Sequence, residues 1–146
     1  MDQQQNPSNS NGDDVESTRN FAEDIVASES DQLSEEDQAA VAALPAGNAL
    51  LVVRRGPNKG ARFLLDADLI TVGRHPNSDV FLDDVTVSRR HAEIRRTSGE
   101  FSVKDLDSLN GTYYQGARVE SALLTNGSEL QIGKYHFTFY SSARNA

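Results

Sequence analysis

The sequence predicts an all-β fold, an antiparallel β-sandwich preceded by a disordered acidic N-terminal tail. From Asn48 onward, short apolar runs are separated by turn-forming residues, as in the segment 56–60 (GPNKG). No segment in this part keeps the 3.6-residue apolar repeat of an amphipathic helix. About ten short strands within about 95 residues are typical of a two-sheet sandwich. The net negative charge, by contrast, lies entirely before residue 48.

The N-terminal part, residues 1–47, is predicted to be a regulatory tail. Residues 1–33 are rich in Gln, Asn, Ser, Asp and Glu, so they cannot bury enough apolar surface to offset the entropy cost of ordering. The segment 34–37 (SEED) resembles a capping box and precedes a run of helix-forming residues. We therefore expect a short helix over 35–44 that ends before Pro45 and is marginal on its own.

The apolar pattern after residue 48 predicts the strands in order. Short segments rich in apolar residues predict the earlier strands, Ala49–Val53, Arg62–Leu65, Leu69–Val72, Val80–Leu82 and Ala92–Arg95. Alternation of apolar and polar residues predicts the later ones, Phe101–Leu106, Leu130–Ile132 and Tyr135–Phe139. The sandwich is predicted to span 48–141, and the end, 142–146, to be disordered. The loops at one end of such a sandwich are the natural place for a functional site.

Charge and composition exclude several classes of protein. Residues 1–47 hold 11 acidic residues against the single base Arg19, a net charge of −10, whereas residues 48–146 hold 11 acids and 13 bases, a net charge of +2. The overall charge of −8 argues against a nucleic-acid partner. No stretch reaches the ~20 apolar residues of a membrane-spanning helix, and the polar, acidic N-terminal residues lead us to expect no signal peptide. Without such a stretch, no membrane insertion is expected. Because cysteine is absent, a reducing, cytoplasmic setting is expected.

Three predicted loops carry polar residues of the kind that binds anions. They are the segments 73–79 (GRHPNSD), 83–91 (DDVTVSRRH) and 107–112 (DSLNGT). Together they offer guanidinium, hydroxyl and amide donors, which are the groups that surround a phosphate dianion. Each charged hydrogen bond contributes ~1.5–3 kcal/mol, so three or four of them would bind one phosphorylated residue with modest affinity.

These loop residues resemble, in order and spacing, the forkhead-associated (FHA) domain family. The resemblance covers residues 48–141 and is carried by GR at 73–74, SRRH at 88–91 and NGT at 110–112. It implies an FHA-type sandwich that binds phosphothreonine. The implied binding residues are Arg74, Ser88 and Arg89 on the phosphate, Asn110 on the peptide backbone, and Ser108 and Leu109 in the same loop. The implied supporting residues are Gly73 and Gly111, which permit tight turns, and His91, which braces the loop.

Hydrolysis and metal binding are two other functions that the polar residues of these loops could suggest. Ser88 and His91 together would suit a hydrolase, but the sequence has no G-x-S-x-G motif and no other sign of an oxyanion hole. A serine beside two arginines is better placed to bind an anion than to lose its proton to a histidine. Asp83, Asp84 and the three histidines lack the spacing of a metal site, so no metal is expected.

The chain also resembles one group within this family, the actinobacterial oxoglutarate dehydrogenase inhibitors and glycogen accumulation regulators. The matching segments are 49–66, 73–93, 108–114 and 130–139. Members carry two adjacent threonines in a tail that Ser/Thr kinases phosphorylate. Here the segment 16–21 (ESTRNF) takes that place, so Thr18 is the expected phosphorylation site. Ser17 is the less favoured candidate, because FHA domains bind phosphothreonine through its γ-methyl group, which phosphoserine lacks.

The group resemblance implies a phosphorylation-controlled regulator that is not an enzyme and has no cofactor. In its unphosphorylated form such a protein binds and inhibits 2-oxoglutarate dehydrogenase, an enzyme of the tricarboxylic acid cycle, and modulates glutamate metabolism. In its phosphorylated form the tail docks on the FHA pocket and switches the protein off. An alternative stays open, in which the domain is an adaptor for the phosphothreonine of another protein, such as an activated Ser/Thr kinase.

Overall fold

The computed structural model describes residues 33–142, so the predicted sites Ser17 and Thr18 lie outside the described residues. Most of the predicted tail (1–47) and of the predicted disordered end (142–146) lies outside them as well. Within the described range one helix, α1 (Glu35–Ala42), precedes the strands. The strands are β1 (Ala49–Arg55), β2 (Arg62–Leu65), β3 (Leu69–Gly73), β4 (Val80–Phe81), β5 (Ala92–Thr97), β6 (Glu100–Asp105), β7 (Thr112–Tyr114), β8 (Ala117–Val119), β9 (Ser121–Leu124), β10 (Glu129–Ile132) and β11 (Tyr135–Ser141).

The strands form two sheets, which confirms the predicted all-β sandwich. The six-stranded sheet has the order β2-β1-β11-β10-β7-β8, and the five-stranded sheet has the order β4-β3-β5-β6-β9. Neighbouring strands pair antiparallel with one exception among the registers observed, the two-residue strand β4, which runs parallel to β3. Because β4 is so short, it covers only the end of the β3 edge, next to the loop that the sequence predicts as part of the site.

The core lies between the sheets and is built from alternate residues of each strand. In β11, Tyr135, Phe137 and Phe139 are buried, and the residues between them are partly exposed. Phe101 of the opposite sheet meets Phe139 edge to face with ring centroids 5.6 Å apart. Burial of one such side chain stabilises the fold by about 1.5–3 kcal/mol, so this layer holds the two sheets in a fixed relation.

Three strands between residues 112 and 124 were not predicted as separate elements. β7 and β8 form a hairpin joined by Gln115 and Gly116, both of which have positive φ, 52° and 85°. Two positive φ angles in succession are typical of a type I′ turn, which Asn-Gly or Asp-Gly normally signals. Gln115 does not give that signal, so the sequence pattern does not reveal the hairpin.

Helix α1 packs on the outer face of the six-stranded sheet, outside the main core. It spans Glu35–Ala42, shorter than the predicted 35–44, and Leu44 just beyond it is buried against Leu50 and Val52 of β1. Its first turn lies beside Arg62, which donates to the Glu36 carbonyl and to the Asp37 carboxylate over 3.2 Å in each case. Residues 35–44, which precede the predicted start of the sandwich at residue 48, therefore pack on the sandwich.

The direction of α1 follows from its two ends. The first turn meets Arg62, which pairs with Val52 near the middle of β1, whereas the Leu44 carbonyl beyond the last turn accepts from Ser142, next to the start of β1. The helix therefore points its N-terminus toward the end of the sandwich where β1 finishes. Within residues 33–142, no helix is long and apolar enough to cross a membrane.

Candidate functional site

The three predicted loops meet at one end of the sandwich, where hydrogen bonds join them. They are the β3–β4 loop (74–79), the β4–β5 loop (82–91) and the β6–β7 loop (106–111). The N–H of Arg74 donates to the Ser88 carbonyl over 3.0 Å, which joins the first loop to the second. The N–H of Leu109 donates to Ser88 Oγ over 3.0 Å, and Asn110 Nδ2 donates to the Thr86 carbonyl over 2.9 Å. The β4–β5 loop is thus the centre of the site.

Gly73, the last residue of β3, lies directly against this central loop. A Cβ atom there would overlap the carbonyl oxygen of Arg89 and would lie 2.9 Å from its carbonyl carbon and 3.2 Å from the Ser88 oxygen. The backbones can come this close only because residue 73 has no side chain. The need for glycine at this position is therefore steric, and it sets the distance between the two loops.

Arg74 and Arg89 supply the cationic groups of the site. The Arg74 side chain is half-buried, and its Nε donates to the Val87 carbonyl over 3.1 Å, which fixes the plane of the guanidinium. Within residues 33–142, the two Nη atoms of Arg74 and the whole guanidinium of exposed Arg89 make no hydrogen bond or ion pair. Both guanidinium groups are thus free to bind an anion.

Ser88 and Asn110 each keep a donor that the fold does not use. Ser88 Oγ accepts from the Leu109 N–H, so its own hydroxyl proton remains for a ligand. Asn110 is exposed and spends one Nδ2 hydrogen on the Thr86 carbonyl, which leaves its second hydrogen and its Oδ1 for a peptide backbone. Four of the six predicted binding residues therefore lie in one site with hydrogen-bonding capacity to spare.

Ser108 and Leu109 differ from the other four. The Ser108 side chain is buried, and its hydroxyl donates to Asp105 over 2.5 Å and accepts from the Gly111 N–H over 2.9 Å. This hydroxyl holds the loop in shape, and its single proton is already donated to Asp105. Leu109 offers its backbone N–H to Ser88, while its side chain is 83% exposed beside the site. Ser108 is thus a structural residue in this chain, and Leu109 contributes an exposed apolar surface.

His91 is fully buried and joins two of the loops. Its Nδ1 accepts from the Ser88 N–H over 3.1 Å, so the ring proton lies on Nε2, which donates to the Gly111 carbonyl over 2.9 Å. Burial lowers the pKa of His91 below its usual value, against the opposing effects of the Gly111 carbonyl and the Asp105 carboxylate. The imidazole is therefore neutral at pH 7, and a second proton on Nδ1 would remove the bond to Ser88.

Acidification is expected to destabilise the fold through His91. In the unfolded chain a histidine takes up its proton near pH 6.5, whereas the folded state resists protonation below that pH. The contribution of His91 is therefore complete above about pH 6.5 and is lost as the pH falls below it, by about 1.4 kcal/mol for each unit by which the pKa is lowered. NMR titration of the His91 ring measures the midpoint directly, and a midpoint at or above 6.5 would contradict this assignment.

Two supporting carboxylates were not predicted. Asp84 accepts from both the N–H and the hydroxyl of Thr86, and these bonds lower its pKa below the usual value. The Thr86 hydroxyl also accepts from the Lys134 N–H over 3.0 Å, so it ties the central loop to the six-stranded sheet. The signal in the sequence is the Asp-x-Thr spacing of a local turn, which is common enough to escape notice.

Asp105, at the end of β6, organises the third loop. Its carboxylate accepts from the Ser108 N–H over 3.1 Å, from the Ser108 hydroxyl, and from the Thr112 hydroxyl over 2.7 Å. Burial alone would raise its pKa, but the hydrogen bonds from Ser108 and Thr112 outweigh burial and the pKa is lowered. Asp105 therefore remains ionised and holds both ends of the loop that presents Asn110.

The three loops of the site lie within a match to a known domain family, and the chain is similar to proteins of named function. The FHA domain family model matches residues 70–133, which include the three loops of the site. The chain is 50% identical over 133 residues to the oxoglutarate dehydrogenase inhibitor of Corynebacterium jeikeium, covering 90% of this chain and 92% of that protein. It is 59% identical over 105 residues to the glycogen accumulation regulator GarA of Mycolicibacterium smegmatis, covering 72% of this chain and 66% of that protein.

Solved structures show the same fold. A structure of Mycobacterium tuberculosis EmbR in complex with a low-affinity phosphopeptide is 27% identical to this chain with a TM-score of 0.62. The similarity covers 89% of this chain and 32% of the EmbR chain. The sandwich fold of this chain is therefore also found in EmbR, in a structure that contains a bound phosphopeptide.

Proposed function

The chain belongs to the FHA-domain family of oxoglutarate dehydrogenase inhibitors and glycogen accumulation regulators, and from that membership we propose that it is a phosphothreonine-binding regulatory protein. In its unphosphorylated form it binds and inhibits 2-oxoglutarate dehydrogenase and modulates glutamate metabolism. A Ser/Thr kinase phosphorylates Thr18 in its regulatory tail. The phosphorylated tail then docks on its own FHA pocket and releases the enzyme. Its place of action is the cytoplasm.

One observation carries the phosphothreonine assignment. Arg74, Ser88, Arg89 and Asn110 come from loops that are hydrogen-bonded to each other, and each keeps donors that no described residue uses. Two guanidinium groups balance the charge of roughly −1.5 to −2 on a phosphothreonine, and the hydroxyl donates to a third phosphate oxygen. Such a set suits a dianion held in one orientation.

The hydrogen bonds of His91 support a binding function without catalysis. In a hydrolase, the histidine would accept the proton of the serine hydroxyl. Here Nδ1 accepts from the backbone N–H of Ser88, and Nε2 is used by the Gly111 carbonyl. The imidazole therefore has no free nitrogen with which to activate Ser88 Oγ. We place Ser88 as a hydrogen-bond donor to phosphate, and the protein as a non-enzyme.

Phosphorylation of the full chain by a Ser/Thr kinase tests this proposal. The unphosphorylated protein is expected to inhibit 2-oxoglutarate dehydrogenase, and the phosphorylated protein to lose inhibition. Amide NMR signals of residues 73–75 and 88–91 are expected to shift on phosphorylation in the wild type and to stay in place in Thr18→Ala treated in the same way. Unchanged signals together with retained inhibition in the phosphorylated wild type would overturn self-docking.

The same experiment separates the adaptor alternative. If the domain serves another protein's phosphothreonine, a phosphothreonine peptide added in trans should bind equally well before and after phosphorylation of the tail. If the tail docks on its own domain, the phosphorylated chain should lose that binding, because the pocket is already occupied. Thr18→Ala is the matched control, since it keeps the pocket and removes the modified residue.

A further inference from the structure

Three arginines at the site end of the sandwich have no partner within residues 33–142. They are Arg89, Arg90 and Arg118, and all three are exposed. Every other arginine in this range donates to at least one other group: Arg54, Arg55, Arg62, Arg74, Arg95 and Arg96. Among the described residues, the arginines with unpaired guanidinium groups are thus confined to the site end of the sandwich. Arg89 belongs to the phosphate site described above, which leaves two guanidinium groups without an assignment.

Arg90 lies on the side of the five-stranded sheet. It lines a cleft of about 320 Å³ together with Thr71, His75 and Arg89. Glu93 lines the same cleft, but its carboxylate is paired with Arg95 at 3.1 Å. Arg90 also lines a second cleft with Asp105, Asp107 and Glu120, but none of these carboxylates forms an ion pair with it. In the part of the chain that the structure describes, Arg90 is therefore the unpaired cation next to Arg89 on this side. Arg118 lies on the opposite side, because it pairs with Tyr113 in the β7–β8 hairpin of the six-stranded sheet.

The position of α1 favours one direction for a docked tail. The helix is fixed on the outer face of the six-stranded sheet with its N-terminus toward the end where β1 finishes. This is the site end, because Lys134 lies against Gly56, just beyond β1, and donates its N–H to Thr86 of the β4–β5 loop. Residues that follow Thr18 lead to α1, so the chain takes the shorter path when they lie on the six-stranded side. On that path the residues that precede Thr18 lie toward the five-stranded side, where Arg90 lies.

The sequence places acidic residues on that side of Thr18. Asp13, Asp14 and Glu16 precede it within five residues. Resting on the function proposed above, we propose that Arg90 is a specificity-determining residue that pairs with the Glu16 carboxylate of the docked tail. Arg90 thereby selects phosphothreonine ligands that are acidic on their N-terminal side. Arg90 thus recognises a side chain near the phosphothreonine, whereas its neighbour Arg89 binds the phosphate itself.

Calorimetric titration of the full-length unphosphorylated protein tests this pairing. The probes are a peptide of residues 13–21 phosphorylated at Thr18 and the same peptide with Glu16→Gln. Arg90→Gln is expected to weaken binding of the first peptide about two- to fivefold, as for an exposed ion pair, and to leave binding of the Glu16→Gln peptide unchanged. Arg118→Gln is the matched control. Because the Arg118 guanidinium packs on Gly111 of the β6–β7 loop, the control compares the two peptides on the same variant, and Arg118→Gln is expected to keep the full dependence on Glu16.

The outcomes separate this inference from the proposed function. Equal dependence on Glu16 in the wild type and in Arg90→Gln would overturn the role of Arg90 while leaving phosphothreonine binding intact. Loss of the Glu16 dependence in Arg118→Gln instead would assign the pairing to the six-stranded side and overturn the direction argued above. No binding of either peptide to the wild type would overturn the proposed function, and this inference with it.

Discussion

Arg74→Ala is expected to weaken binding of a peptide of residues 13–21 phosphorylated at Thr18 by about 100-fold, because charged hydrogen bonds to phosphate are lost together. The bond from Nε to the Val87 carbonyl holds the guanidinium in place before any ligand arrives. Little side-chain entropy is then lost on binding, which makes this arginine more effective than a freely rotating one. Titration calorimetry with the full-length chain measures the effect.

Two further variants show what the affinity depends on. Arg74→Lys keeps the charge but loses both the planar fork and the Nε bond to the Val87 carbonyl, so we expect it to recover only part of the affinity. Arg55→Ala is the matched control, since Arg55 is an exposed arginine that is paired with Glu129 on the six-stranded sheet and belongs to none of the three loops of the site. Binding by Arg74→Ala within twofold of the wild type would show that Arg74 does not contact the phosphate.

Gly73→Ala is expected to lower the free energy of unfolding by about 1–3 kcal/mol, the range for a group forced into a packed site. The new methyl group would overlap the carbonyl oxygen of Arg89, so the backbone of residues 88–89 must move. The same movement displaces the Ser88 hydroxyl and the Arg89 guanidinium, so phosphopeptide affinity should fall as well. Urea unfolding gives the stability, and calorimetry gives the affinity.

Gly99→Ala is the control for Gly73→Ala. Gly99 has a φ of 83°, and a Cβ atom there would meet nothing within 4 Å. Its replacement therefore costs only the strain of a left-handed backbone, about 1 kcal/mol, and leaves the site untouched. If Gly73→Ala were no less stable than Gly99→Ala and bound phosphopeptide normally, the close approach of the two loops would not matter.

The fold and the site loops could be predicted because their signals are local. Apolar alternation in β11 and turn residues such as 56–60 depend on neighbours in the chain, and they predicted the strands and the loops between them. The loop residues Arg74, Ser88 and Asn110 could be singled out because three successive loops carry guanidinium, hydroxyl and amide donors in the order and spacing of the FHA motifs. Their convergence at one end follows from the strand order.

What the sequence did not reveal depends on tertiary contacts. In the sequence Asp105 looks like an ordinary strand residue and Thr86 like an ordinary turn residue. Only the folded chain shows that Asp105 holds the loop of Asn110 and that Thr86 accepts from the Lys134 N–H. Ser108 was predicted to be a binding residue, but its hydroxyl donates a hydrogen bond to Asp105. Helix α1 is a further case, since it packs against Leu50 and Val52 on an outer sheet face that β1 forms together with β11, a strand distant in sequence.

The anchoring of α1 shortens the tether between Thr18 and its own pocket. Counted to Glu35, where the helix begins, the tether has 17 residues, against 30 residues counted to Asn48. If these residues form the flexible chain that the sequence predicts, the root-mean-square span falls from about 30 Å to about 23 Å. The entropy cost of closing the loop falls by about 0.5 kcal/mol, and the effective concentration of the tail at the pocket rises about twofold. In the proposed switch, a helix outside the binding site thereby favours the self-docked state over capture of a phosphothreonine from another protein.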